Sequence, residues 1–200
     1  MRRRALLLAA LLCAGAPALA QERPPLQPTR DVAVTYRFLQ GMPQGGPASM
    51  TMAWHAETGR LRTDMPGMGW MVADQRAGRA FMVMEQMRMV MDVPAQEGAL
   101  ERMQPSPRAT FRREGTATVA GHPCTIWHYR DGASEGRACI TADGVMLRAE
   151  GTHEGQRGGM EATQVAYGRQ DPARFQRPQG YQTMQMPQGM PPGMMRPPGR

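Results

Sequence analysis

The 200-residue chain balances 24 Lys plus Arg against 17 Asp plus Glu, a formal net charge of +7. That is only mildly basic, and with no basic or interleaved aromatic motif it argues against nucleic acid as a partner while leaving anionic lipid head groups. All the basic residues are arginine and isoleucine occurs only at Ile126 and Ile140, as a genome rich in G and C would give, yet the chain holds 20 methionines, whose codon such a genome does not favour.

The chain opens as an export signal. Met1-Arg-Arg-Arg4 supplies positive charge, Ala5 to Ala16 an apolar run, and Ala18-Leu19-Ala20 small residues at the two positions a signal peptidase reads. About a dozen apolar residues fall short of the ~20 needed to cross hydrocarbon, so residues 1–20 are expected to be cleaved after Ala20 rather than to anchor the chain. Cys13 follows Leu12, where lipidation signals want a small residue, so no lipid is expected there. Arg3-Arg4-Ala5-Leu6-Leu7 resembles the core of a twin-arginine signal, although arginine is common at any signal's start. Three arginines leave with the leader, which lowers the +7 to +4. The mature protein is expected to be periplasmic or secreted, with no transmembrane segment.

Residues 21–30 are rich in proline and polar residues and read as a disordered linker. From Asp31 to Tyr181 the dominant period is two, which predicts one domain of about ten short strands. The runs are 31–38, 49–55, 60–64, 69–73, 79–84, 87–93, 116–120, 124–130, 137–141, 145–151 and 160–167. Only Ala95 to Gln104 reads as a helix, with Ala95, Ala99, Leu100 and Met103 on one face and Pro105 as its stop. Short connections imply a meander, hence an all-β fold with one short helix. Residues 182–200, almost entirely Met, Pro, Gly and Gln, read as a second disordered arm.

Asp131-Gly132 is a strong two-residue hairpin signal. A turn centred there puts Arg130 opposite Ala133, His128 opposite Glu135, and Cys124 opposite Cys139, the two cysteines of the mature chain. Directly opposed residues lie about 4.5–5.5 Å apart, inside the disulfide window, and an oxidising compartment makes the bond the default.

Gly121-His-Pro-Cys124, Trp127, Cys139, Asp143-Gly144-Val145, Phe175 and Pro178-Gln-Gly-Tyr181 resemble an uncharacterised family of exported bacterial domains. That family is similar to the lipoprotein-carrier superfamily of LolA-like half-barrels. The resemblance covers about Asp31 to Tyr181 and implies a curved antiparallel sheet whose concave side holds an apolar ligand. Lipoprotein carriers have several helices forming a lid where this chain offers one, so lipoprotein carriage itself is not implied.

The methionines carry the most specific chemistry. In Phe81 to Met91 they stand at 82, 84, 87, 89 and 91, and a turn at Glu85-Gln86 would pair Met84 with Met87 and Met82 with Met89. As packing, the flexible and polarizable thioether fills irregular space; as a surface, it suits an adaptable apolar groove. The groove lining is then expected to be Trp54, Trp70, Met82, Met84, Met87 and Met89. A third reading is copper(I), which prefers soft ligands, drawing on Met50, Met52 and the hairpin, with Met184, Met186, Met190, Met194 and Met195 converging from the tail. The tail has its own bland reading as an inert or oxidation-scavenging extension.

Nothing comparable supports catalysis. No Gly-x-Ser-x-Gly elbow, dinucleotide fingerprint or phosphate loop occurs, and Asp64, Asp74, Asp143 and Glu161 are scattered. His55, His122, His128 and His153 stand at no metal-ligand spacing. The expectation is therefore a non-enzymatic periplasmic binding protein with no cofactor, holding an apolar or lipid-like ligand or an envelope protein partner. Copper handling and a purely structural envelope role are the alternatives.

Overall fold

The computed structural model describes residues 22–39, 46–93, 105–153 and 155–185. The described residues form β1 (Val32–Phe38), β2 (Ser49–His55), β3 (Arg60–Met65), β4 (Gly69–Asp74), β5 (Arg79–Met84), β6 (Met89–Val93), β7 (Thr110–Val119), β8 (His122–Asp131), β9 (Ser134–Ile140), β10 (Met146–His153), β11 (Gln156–Tyr167) and β12 (Gln182–Gln185). A 3₁₀ turn spans Pro172–Phe175. The leader at 1–20 and the expected helix at 95–104 lie outside the described residues.

All twelve strands belong to one sheet, in the order β12-β6-β5-β4-β3-β2-β1-β11-β10-β9-β8-β7. Two antiparallel meanders, β1 to β6 and β7 to β11, join where β1 pairs with β11. Only β12 runs parallel to its neighbour, β6. The predicted strands recur within a few residues of their expected limits because alternation marks them directly; β7 starts earlier, at Thr110, where the sequence signal is weak.

The sheet is strongly curved. Ala73 on β4 and Phe111 on β7 line the same cavity although eight strand spacings separate them in sheet order. A flat sheet would hold them about 38 Å apart.

Register fixes which residues share a face. Val32, Trp54, Leu61, Ala73, Ala80 and Val93 stand directly opposite one another in successive strands from β1 to β6. Residues of the other parity, Ala53, Trp70, Val72, Val83 and Val90, pack beneath Phe175 on the reverse face. Both faces therefore bury apolar side chains, each fully covered Val contributing about 1.5–3 kcal/mol.

Both flanks depart from the sequence expectation. Residues 22–30 do not dangle: Pro24 is buried, and Leu26 packs against the cluster of Ala109, Phe111, Trp127, Ala138 and Ile140. Part of the tail is built into the sheet: Gln182–Gln185 adds a strand beside β6, and the Gln182 amide donates to the Arg88 carbonyl at 2.9 Å. Composition misleads at both places because the seats are tertiary, made by side chains far away in sequence.

The β8–β9 turn is displaced by one residue. Asp131 pairs with Ser134, leaving Gly132-Ala133 as the turn, with Gly132 at φ 57°. Asp131 is held in the strand because its carboxylate accepts from the Ser106 amide at 2.6 Å and the Ser106 hydroxyl at 2.5 Å. Cys139 consequently opposes Ile126, and the Cys124–Cys139 disulfide joins diagonal neighbours whose Cα atoms the sheet's twist brings to 5.4 Å. His128 likewise pairs with Arg137, and its Nε2 reaches Glu135 at 3.0 Å along a diagonal.

The bond closes a loop of 15 residues, for which chain entropy gives about 3 kcal/mol. Replacing Cys124 with Ser is expected to lower the melting temperature by about 5–10 °C. Scanning calorimetry checks this, with thiol alkylation of unreduced protein as the companion assay; two alkylatable thiols in the wild type would contradict the bond.

Candidate functional site

The curved sheet encloses a cavity of about 450 Å³ on the face bearing Val34, Met52, Trp54 and Leu61. Ile140 and Phe111 close it from the second meander. The described N-terminal arm supplies the remaining wall through Pro25 to Pro28. The volume falls in the range of small-molecule sites, about 300–1,000 Å³, and the lining is mostly apolar. Trp54, which lines it, is 5% exposed, and its buried indole Nε1 has no hydrogen-bond partner among the described residues. A buried N–H left without an acceptor costs about 1–3 kcal/mol, so this donor is poised for one. Tyr36 lines the same face, its hydroxyl donating to the Met146 carbonyl at 2.6 Å while burial pushes its phenol well above the usual range.

The expected lining is only partly assembled there. Trp54 lines the cavity, whereas Trp70 lies on the reverse face, under the guanidinium of Arg62 at 3.9 Å and donating to Glu85 at 3.0 Å. The register explains the split: Leu61, opposite Trp54, faces Ala73 on β4, and Trp70 stands three residues from Ala73, with the opposite parity. Met82, Met84 and Met89 share the cavity's face but line its continuation over β5 and β6, away from the cavity itself. Met87 sits in the turn, 57% exposed. That turn holds four residues, Glu85 to Arg88, so Met84 pairs with Met89 and Met82 with Met91. Arg88 at φ 50° lets the longer turn close.

Of the residues tied to copper(I), Met50 and Met52 lie on β2, with Met52 in the cavity wall. Met184 lies on β12 beside Met91. Met186, Met190, Met194 and Met195 lie outside the described residues. Among the described residues no three His, Cys, Asp or Glu side chains converge as metal ligands. His55 is buried against Phe175, with Nδ1 2.8 Å from the Thr58 hydroxyl. Ser134 Oγ and His153 Nδ1 approach to 2.7 Å at exposed strand ends, an orientation shared with no carboxylate among the described residues.

Sequence reasoning missed the arm. Its seat is Asp143-Gly144: a Cβ at Gly144 would collide with the Gln27 carbonyl, and this glycine holds φ 91°. The Thr29 amide donates to the Asp143 carbonyl at 2.9 Å, and Arg30 donates to the Asp143 carboxylate at 2.8 Å while lying 3.7 Å over the Tyr167 ring. Arg23 donates to the Ser106 and Pro107 carbonyls, both at 3.0 Å, and Gln27 reaches Gln75 beyond β4. The arm thus spans the mouth from one meander to the other. In the sequence Asp143-Gly144 stands out only among the motifs that carry the family resemblance, with nothing to mark it as the arm's seat.

No protein-family model matches the chain, and no curated protein matches it. Solved structures do. MucB aligns with TM-score 0.52 at 15% identity over 78% of this chain and 60% of that one. MucB in complex with MucA(peri), and the Pseudomonas aeruginosa MucA/MucB complex, align with TM-score 0.51 at 16% identity over 82% of this chain. The fold is a LolA-like half-barrel. This chain spans about three fifths of the length of those MucB chains. The expected likeness to LolA-like half-barrels thus stands at the level of the fold, whereas the expected kinship with an uncharacterised exported family has no support from a family model.

Electrostatics make the arm's seat sensitive to acid. Burial pushes the Asp143 carboxyl up, but hydrogen bonds from Thr141, Arg30 and Tyr167 outweigh it and leave it below the usual 3.8. A depressed carboxylate contributes stability that is complete above its unfolded value and is lost as pH falls through its folded value. The arm is therefore expected to keep this contribution in full above pH 3.8 and to lose it as pH falls through the lower folded value. Asp143→Asn is expected to expose the arm already at pH 7, read as faster tryptic cleavage after Arg30; equal cleavage rates in variant and wild type would contradict this seat.

Proposed function

We propose that this protein is an exported, non-enzymatic binding protein whose half-barrel holds an apolar or lipid-like ligand between the curved sheet and the N-terminal arm. The observation that carries the reading is the cavity of about 450 Å³ with a mostly apolar lining, which includes Trp54, whose buried Nε1 is unpartnered among the described residues. An acyl chain buries against Val34, Leu61, Phe111 and Ile140, and an ester or carboxyl oxygen satisfies the indole. The leader-like start and the disulfide support a periplasmic setting. Among the described residues no helix is long and apolar enough to cross a membrane.

A second reading, an envelope protein as the bound partner, draws on the MucB structures, which include complexes with MucA. Native mass spectrometry of protein taken from the periplasm separates the two: an added mass of lipid size supports the first, a second polypeptide the second.

Binding of a fluorescent fatty acid to the purified mature chain tests the site itself. Ala149→Phe, which adds bulk to the cavity wall, is expected to weaken binding by about tenfold or more. Trp54→Phe keeps an aromatic wall but removes the donor, and is expected to weaken a carboxyl-bearing probe about three- to tenfold while leaving a plain hydrocarbon unaffected. Wild-type protein that carries no lipid and takes up no probe would sink the apolar-ligand reading.

A further inference from the structure

The methionines of β4, β5, β6 and β12 form a row outside the cavity. Met71 opposes Met82, Met82 opposes Met91, and Met91 stands beside Met184 of the parallel strand β12. Met84 and Met89 form a second pair in the adjacent row of the same face. Directly opposed side chains have Cβ atoms about 4.5–5.5 Å apart, so the two-bond reach from Cβ to each thioether sulfur allows neighbouring sulfurs to meet on one point.

Packing alone does not account for the distribution. The reverse face of these strands, which makes the fully covered core, is built from Trp70, Val72, Phe81, Val83 and Val90 without a methionine. The thioethers are all on the other face, where Met71, Met82, Met84 and Met89 are half-buried, Met91 is buried and Met184 is 49% exposed. A gap-filling residue would be spread over both faces according to space; here it is segregated onto one.

Placement of the outermost thioether is also anchored. Met184 belongs to a C-terminal strap held across the reverse face: Arg62 donates to the Arg174 carbonyl at 2.6 Å, Arg177 pairs with Asp92, and the Arg88 guanidinium lies over Tyr181. The strap ends by pairing with β6, which sets Met184 in register with Met91.

We propose that Met82, Met91 and Met184 form a thioether site for copper(I), the soft ion such ligands select, with Met71 at the row's inner end. The site is separate from the apolar cavity and stands or falls without it. Its donors are neutral, so binding carries no proton release and is insensitive to pH across the range in which the fold is intact.

The test is anaerobic titration of the mature chain, residues 21–200, with copper(I) against a chromogenic copper(I) chelator. The expected result is one ion bound per chain, with affinity reduced at least about tenfold in the Met82→Leu/Met91→Leu/Met184→Leu variant, since leucine keeps the volume and removes the sulfur. Met68→Leu/Met87→Leu, which alters two exposed turn methionines, is expected to leave the affinity unchanged. Met184→Leu alone changes only an exposed side chain, so it keeps the fold, and is expected to weaken binding at least about threefold. Failure of the wild type to compete with the chelator, an unchanged affinity in the triple variant, or an equal loss in the Met68/Met87 control would each overturn the site.

Discussion

Among the described residues the single sheet, apolar on both faces, has no second layer to cover it, and its covers come from the described N-terminal arm and C-terminal strap. One cover is the C-terminal strap, which seats Phe175 over Trp70, Val72, Val83 and Val90 and then runs on as β12. The other is the N-terminal arm, which crosses the mouth of the concave side and rests on Gly144. Between them the sheet curls. Curling brings β4 and β7 to opposite walls of one hollow and makes the concave face a half-open cavity.

The two covers differ in what they bury. The strap buries an aromatic ring and is fastened by Arg177, which lies on the Phe81 ring and pairs with Asp92, and by Arg62, which donates to the Arg174 carbonyl. The arm buries little beyond Pro24 and Leu26 and relies on the Asp143 carboxylate, with Asp31 fixing the turn-off into β1. Burial raises the Asp31 carboxyl, and the amides of Gln170 and Ala56, both at 2.8 Å, more than compensate. The strap is thus a fixed part of the core and the arm a weaker closure, which is the arrangement a binding groove needs if its ligand is to enter without unfolding the sheet.

The strands were legible in the sequence because period-two alternation is a local property, and Ser49–His55 and Arg79–Met84 emerge with the limits the pattern gives. Register was less legible. Moving the turn from Asp131-Gly132 to Gly132-Ala133 shifts the pairing by two residues, which keeps every side chain on its face and leaves alternation silent. Cys124 and Cys139 therefore still meet, but diagonally. Glu85-Gln86 fails as a turn for the same reason, and Met84 pairs with Met89. Trp70 shows the converse limit: its run alternates cleanly, yet which parity faces the cavity depends on pairing with β3. The arm was invisible because proline-rich, aperiodic sequence gives no local signal, and its partners Asp143, Ser106 and Gln75 lie far along the chain.

The account depends most on the arm's being a wall of the cavity. Leu26 packs against the cluster of Phe111, Trp127 and Ile140, on the meander remote from the arm in sequence. Isotope-edited NMR of the mature chain at neutral pH, with labelled Leu26 methyl groups, measures that contact directly. The account predicts nuclear Overhauser cross-peaks from Leu26 to the Phe111 ring and the Ile140 methyls. A narrow, random-coil Leu26 signal without those cross-peaks would contradict it.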